Sequence, residues 1–167
     1  MESTALEGQF TNQAFYSLAT NPFKFRLYLL QNLPAAYFSG ISIKEVNGER
    51  SVVKVPFKWF TRNPFRSTYF ACLSMAAEMS TGILAMAALY RKTPKVSMLI
   101  VSIEGKFYKK ATGITSFVCV EGLEIHKTIK SAIDSGEAKS IKVFASGENE
   151  YGELVAEFWC EWSFKRK

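Results

Sequence analysis

Hydrophobic and polar residues change their rhythm several times along the chain, and each change predicts an element. Residues 13–19 read as a short helix that Thr11 or Asn12 can cap. Pro22 suits the first turn of a second helix over 22–32, whose apolar Phe23, Leu27 and Leu30 recur at helical spacing, with Pro34 as a stop. These two helices are expected to pack on the main body as a lid or arm. From Ala36 the period changes to two: residues 37–46 read as a strand, Asn47-Gly48 as a tight turn and 50–57 as the returning strand.

Residues 58–66 form a loop that contains Asn63-Pro64. Ser67 or Thr68 can cap the long apolar helix that follows, which ends near Leu89 or Tyr90, with Thr93-Pro94 as a firm stop. Residues 96–109 and 113–121 read as a pair of long strands about a short turn at Ala111-Thr112-Gly113. Residues 123–135 read as a helix stopped by Gly136, and 139–146 with 153–164 as a final hairpin. Six antiparallel strands and one very apolar helix imply an α+β domain with the helix covered by the sheet. No linker interrupts the chain, so residues 1–167 are expected to be one domain, with 1–34 as a helical arm and 36–164 as the core.

Composition narrows this picture. At 167 residues, 48% hydrophobic and 22% charged, the chain is long and apolar enough for one core. Aromatic residues reach 14%, which suggests a large core or a roomy apolar pocket. The net charge of +6 favours anionic partners, or solubility alone. Basic residues are scattered apart from Lys165-Arg166-Lys167, and no zinc-finger spacing occurs, so no nucleic acid is expected as partner. Cys72, Cys119 and Cys160 are dispersed and odd in number, as expected of small core residues in a reducing cytoplasm. With one histidine, they offer no metal-ligand cluster. The first residues carry Glu2 and Glu7 where a signal peptide needs basic residues. The stretch 71–89 is apolar enough to span a membrane, but Glu78 near its middle argues for a helix buried in protein.

Glu78 is the first candidate for chemistry. Its helical neighbours Ala71, Ser74, Gly82 and Ala85 are all small, which leaves room beside it for another backbone or a ligand. One reading is a structural acid paired with Arg or Lys across an interface. The other is a general base or nucleophile lining a cleft, because burial raises a carboxylate's pKa toward a useful range. Asn63 is the second candidate. Asn63-Pro64 is a turn dipeptide, yet it precedes a helix N-terminus whose free N–H groups suit an oxyanion.

The segment Arg62-Asn63-Pro64-Phe65-Arg66-Ser67-Thr68-Tyr69-Phe70-Ala71, followed by Ala76-Ala77-Glu78-Met79-Ser80-Thr81-Gly82, resembles the hot-dog thioesterase superfamily, nearest its DUF4442 branch. The element order over 36–164 is similar too. The resemblance implies a hot-dog fold, a long central helix wrapped by an antiparallel sheet, with the N-terminal helices as additions. Acyl-CoA thioesterases of the superfamily carry Asn or His in the loop before this helix and Asp or Glu fifteen positions later, the spacing of Asn63 and Glu78. Better-known members have His-Gly-Gly near the helix start, where Thr68-Tyr69-Phe70 stands here. Any residue but proline supplies an N–H, so the backbone of Tyr69 and Phe70 becomes the expected oxyanion donor. Ser97, in the strand after the helix, matches a Ser or Thr that assists in relatives, and is equally an ordinary strand residue.

Helix rise puts Glu78 roughly 16 Å from Ser67 along the axis, too far for Asn63 and Glu78 of one chain to share a thioester. Antiparallel central helices about a two-fold axis would bring Asn63 of one chain to Glu78 of the other, as in the superfamily's shared sites. The resemblance thus implies a homodimer, with pairing into tetramers left open. It also implies hydrolysis of an acyl-CoA or acyl carrier protein thioester by water that Glu78 activates, with Ser74 and Gly82 lining the pocket. Arg62, Arg66, Arg91 and Lys92 are candidates for the coenzyme A phosphates. No cofactor is implied beyond coenzyme A as part of the substrate. The rivals are a non-catalytic acyl or lipid binder with a structural Glu78, a purely structural dimer module, and a dehydratase. The dehydratase needs a histidine beside the carboxylate, and His126 is expected on the small helix, at the surface or in a capping role.

Overall fold

The computed structural model describes residues 12–167. The N-terminal arm is helical. Helix α1 (Gln13–Thr20) starts at Asn12, whose side-chain oxygen accepts from the Phe15 N–H at 3.1 Å. Thr11, the other expected cap, lies outside the described residues. Helix α2 (Pro22–Asn32) has the expected bounds, with Asn21 accepting from the Lys24 N–H. Its orientation corrects the reading of its pattern. Phe25 and Leu29 face the core, and the regularly spaced Phe23, Leu27 and Leu30 point outward.

Pro34 does more than stop α2. It occupies the first turn of a third helix, α3 (Pro34–Ser39), where its missing N–H costs nothing. Gly40 ends α3 with φ 74°, so the expected strand over 37–46 shrinks to β1 (Ser42–Val46). The hairpin with β2 (Ser51–Val55) is present, with Val46 opposite Ser51. Its turn is four residues long. Asn47 builds it by accepting from the N–H groups of Glu49 and Arg50 at 2.9 and 2.8 Å. Among the described residues, the left-handed glycines are Gly40, Gly136 and Gly152, not Gly48.

A 3-10 turn (Trp59–Thr61) leads to helix α4 (Phe70–Leu89). The sheet wraps it in the order β1-β2-β4-β5-β6-β3, with β3 (Val96–Phe107), β4 (Thr115–Cys119), β5 (Lys139–Glu148) and β6 (Leu154–Arg166). All pairs are antiparallel. Helix α5 (Gly122–Ser135) closes the open side, ended by Gly136 at φ 72° as expected. This is the hot-dog arrangement: thirteen of the twenty α4 residues are buried, so α4 is the core helix despite being long and apolar enough to cross a membrane.

One pairing corrects the sequence reading. Strands β3 and β4 do not form a hairpin. Among the described residues, β4 sits between β2 and β5, and β3 pairs only with β6, at the sheet edge. Residues 108–114 are therefore a crossover. They pass the start of α4, where the Ala111 carbonyl accepts from the Thr68 N–H at 2.8 Å and the Gly113 carbonyl from the Phe57 N–H at 3.1 Å. Alternation says which face of a strand is apolar and nothing about its partner.

Candidate active site

The crossover and the loop before α4 enclose an open cleft of about 590 Å³ at the helix start. Its walls are Asn63, Phe65, Ser67, Tyr69, Phe70 and Leu73 on one side, and Phe107, Tyr108, Lys109, Lys110 and Ala111 on the other. The lining is mostly apolar and aromatic, with two ammonium groups at one edge.

The start of α4 lacks the expected side-chain cap. Its N-cap is Tyr69, which makes no capping hydrogen bond. Ser67 instead engages Asn63, and the Thr68 hydroxyl donates to the Ala111 carbonyl at 3.2 Å. The Tyr69 N–H donates to the Thr61 carbonyl at 2.6 Å, so it is not available to a ligand in this conformation. That corrects half of the expected oxyanion pair. Among the described residues, the N–H groups of Phe70 and Ala71 meet no acceptor, as the first amides of a helix do without a cap. The positive end of the helix dipole is thus open.

Asn63 holds the loop in shape. Its side-chain oxygen accepts from the Phe65 and Ser67 N–H groups at 3.0 and 3.2 Å, and its amide donates to the Ser67 hydroxyl at 3.1 Å. Its second amide contact, to the Thr68 carbonyl, is long at 3.5 Å. Asn63 thus lines the cleft with most of its hydrogen bonds already committed. Arg66, with φ 60°, and Arg62 are exposed on the same loop.

Glu78 lies outside the cleft, eight residues past Phe70, or about 12 Å along the helix. It is half-buried, no described residue pairs with its carboxylate, and burial pushes its pKa above the usual carboxylate range. Its neighbour Gly82 is buried. A β-carbon there would lie 3.1 Å from Trp162 Cζ2 and 3.4 Å from Glu78 Oε1. The space expected for a ligand at Gly82 is filled by the Trp162 indole, whose N–H donates to Thr81 Oγ1 at 2.9 Å. Gly82 therefore serves packing within the chain, which corrects its reading as a pocket residue. Ser74 stays on the open flank of α4 and donates to the Phe70 carbonyl at 2.9 Å.

Other candidates are dispersed. The Ser97 hydroxyl donates to the Lys165 carbonyl at 3.0 Å. Ser97 is also ten residues along β3 from Phe107, or about 33 Å at strand rise. Arg91 and Lys92 follow the far end of α4, roughly 30 Å from the cleft in the same chain. Lys109 and Lys110 were missed, because the turn reading hid the crossover that carries them to the cleft. The nearest sequence signal was a basic pair between two strands. Lys109 is tied to Glu153 at 2.5 Å. His126 is buried rather than at the surface, and burial, with help from Lys92, pulls its pKa down to about 4.

The domain of unknown function DUF4442 matches residues 25–163. The chain belongs to the DUF4442 family. Its matched span begins within α2, takes in strands β1 to β5 entire, and ends within β6. Solved structures share the hot-dog fold at low identity. Pseudomonas aeruginosa PA5026, described as a probable thioesterase of unknown function, is 16% identical with a TM-score of 0.74, over 90% of this chain and 99% of that one. A variant of the thioesterase PA1618 of Pseudomonas aeruginosa is 11% identical with a TM-score of 0.66, over 89% and 96%. The thioesterase HI1161 of Haemophilus influenzae is 14% identical with a TM-score of 0.61, over 89% and 95%. No curated protein matches the chain significantly.

Proposed function

We propose that this DUF4442 protein is an acyl-CoA thioesterase that works as a homodimer, with coenzyme A as part of the substrate and no separate cofactor. The observation that carries the reading is Glu78: a half-buried carboxylate without a partner among the described residues, its pKa raised by burial, on the helix whose open N-terminus faces an apolar cleft. Solved thioesterases of the same fold support the reaction class.

The dimer brings the two halves together. β3 is an edge strand with Leu99, Val101 and Ile103 exposed, and such an edge favours pairing with a second copy. A two-fold axis beside α4 then places Glu78 of one protomer against the cleft of its partner. The acyl chain lies among Phe65, Phe70 and Phe107, and the coenzyme A phosphates meet Lys109, Lys110, Arg62 and Arg66. The carbonyl oxygen faces the N–H groups of Phe70 and Ala71, with Asn63 beneath. Glu78 takes a proton from water as the water oxygen attacks the acyl carbon. Charge collects on the carbonyl oxygen, where amide donors stabilise it. The carbon–sulfur bond then breaks, and the proton leaves with the thiolate. The three buried free thiols support a reducing cytoplasm.

A second reading, an acyl binder without turnover, is favoured by the Tyr69 amide being committed to Thr61. One experiment separates the two: hydrolysis of short- to long-chain acyl-CoAs by wild type and Glu78→Gln. A general base predicts a loss of about 10² to 10⁴-fold in kcat with the fold and assembly retained. Binding of acyl-CoA without hydrolysis in wild type, or turnover indifferent to Glu78→Gln, would overturn the thioesterase reading.

A further inference from the structure

Helix α2 carries two apolar faces, and only one is used. Phe25 and Leu29 are buried, while Phe23 is 80% exposed, Leu27 47% and Leu30 44%. Their spacing of four and three residues puts these three on one outward stripe. The apolar surface continues onto neighbouring elements. The exposed Phe38 ring of α3 lies 5.9 Å from the Phe60 ring, and Trp59 beside it is 75% exposed. Protein surfaces rarely leave this many large apolar side chains in water without a partner.

Charge identifies the partner. Lys24, Arg26, Lys58, Arg62 and Arg66 lie in the same segments. All fifteen acidic residues lie elsewhere: there is no Asp or Glu between Gly8 and Lys44, nor between Ser51 and Ala77. A surface of aliphatic and aromatic side chains set among cations, with no carboxylate in its segments, complements the headgroup layer of an anionic bilayer. Trp and Phe suit that depth, because a bilayer takes up rings and alkyl groups while the ammonium and guanidinium groups stay with the phosphates. A second copy fits poorly: a two-fold contact through this patch would set its cations against their own images. RNA would use the cations and leave the Phe23–Leu27–Leu30 stripe in water.

We propose that the N-terminal arm and the loop before α4 form a docking surface for an anionic lipid membrane. The patch runs into the cleft, because the loop that carries Trp59 and Phe60 continues through Phe65 to Tyr69 and Phe70 at the cleft wall. A docked protein holds its cleft close to the interface where amphiphiles with apolar chains collect. The docking is independent of thioester turnover.

The test is co-sedimentation of the full chain with vesicles of phosphatidylcholine alone and with phosphatidylglycerol added. The protein should bind the anionic vesicles selectively and lose binding in high salt. Phe23→Ser/Leu27→Ser should weaken partitioning about tenfold or more, and Lys24→Glu about fivefold or more. Lipids brominated in their chains should quench Trp59 emission, and Trp59→Phe should remove that quenching. These positions are exposed, and unchanged circular dichroism will show that the variants fold. Four results would each overturn the proposal: no binding to anionic vesicles, equal binding by the double variant, binding only after residues 1–11 are deleted, or an oligomer dissolved by the double variant with no vesicle binding. The first two deny the surface its role; the others assign it to the N-terminal segment or to a second copy.

Discussion

The two ends of α4 are built to opposite purposes. At its C-terminal end the Tyr90 carbonyl accepts from the Asn12 side-chain amide at 3.0 Å, and the Tyr90 ring lies 5.3 Å from that of Phe15. Ala85, Ala87 and Ala88 are buried there against the first of two core clusters. At the N-terminal end the Phe70 and Ala71 amides have no acceptor among the described residues, and Tyr69 and Phe70 are half-exposed. One end is closed by the arm and α5, and the other is left open beneath a loop. Both halves of α4 pack against a core cluster, and they differ in that the proposed ligand site lies only at the open end, so substitutions at the two ends should separate.

The largest expected effect breaks the closed half. Trp162→Ala removes the ring that fills the notch at Gly82 and leaves the Thr81 hydroxyl without its donor, and should cost about 3–5 kcal/mol in chemical denaturation. A loss below about 1 kcal/mol would show that the notch collapses freely.

Next comes acid sensitivity. His126 has a folded pKa lowered to about 4 from 6.5, so the unfolded chain binds its proton first as pH falls. The histidine's contribution is fully present above pH 6.5 and is lost between there and about 4, amounting to about 3 kcal/mol. Glu78 works in the opposite direction. Its raised pKa means that protonation relieves a burial cost, so its own effect on acidification is stabilising. Denaturation curves across this range should flatten in His126→Gln and steepen in Glu78→Gln.

Smaller effects sharpen the contrast between the ends. Asn63→Ala should cost about 1–2 kcal/mol by freeing the loop's N–H groups, and it should lower turnover more than it lowers stability. Asn12→Ala, at the closed end, should cost about 1 kcal/mol of stability and leave turnover unchanged. Equal effects of both on acyl-CoA hydrolysis would erase the proposed division. The smallest is Lys110→Ala, which should raise KM for acyl-CoA by about threefold with kcat retained.

Much of this organisation was legible in the chain. The apolar run over 71–89, the alternation in six segments and the stops at Gly136 and Thr93-Pro94 specify a helix wrapped by strands, because burial demands those periods. The bounds of α2 followed from Pro22 and Pro34, and the end of α5 from Gly136. Glu78 was visible as a lone carboxylate in an apolar run. The errors share one cause. The face of α2 that packs, the partner of β3, the occupant of the notch at Gly82 and the burial of His126 all depend on contacts between residues distant in sequence. A local pattern states how apolar a face is and is silent on what meets it. The sequence by itself determined the elements and the unusual residues within them. Only the tertiary structure decided that the 108–114 crossover carries Lys109 and Lys110 to the helix start, that Tyr69 spends its amide on Thr61, and that Trp162 rather than a ligand lies against Gly82, because each is a matter of which surfaces meet.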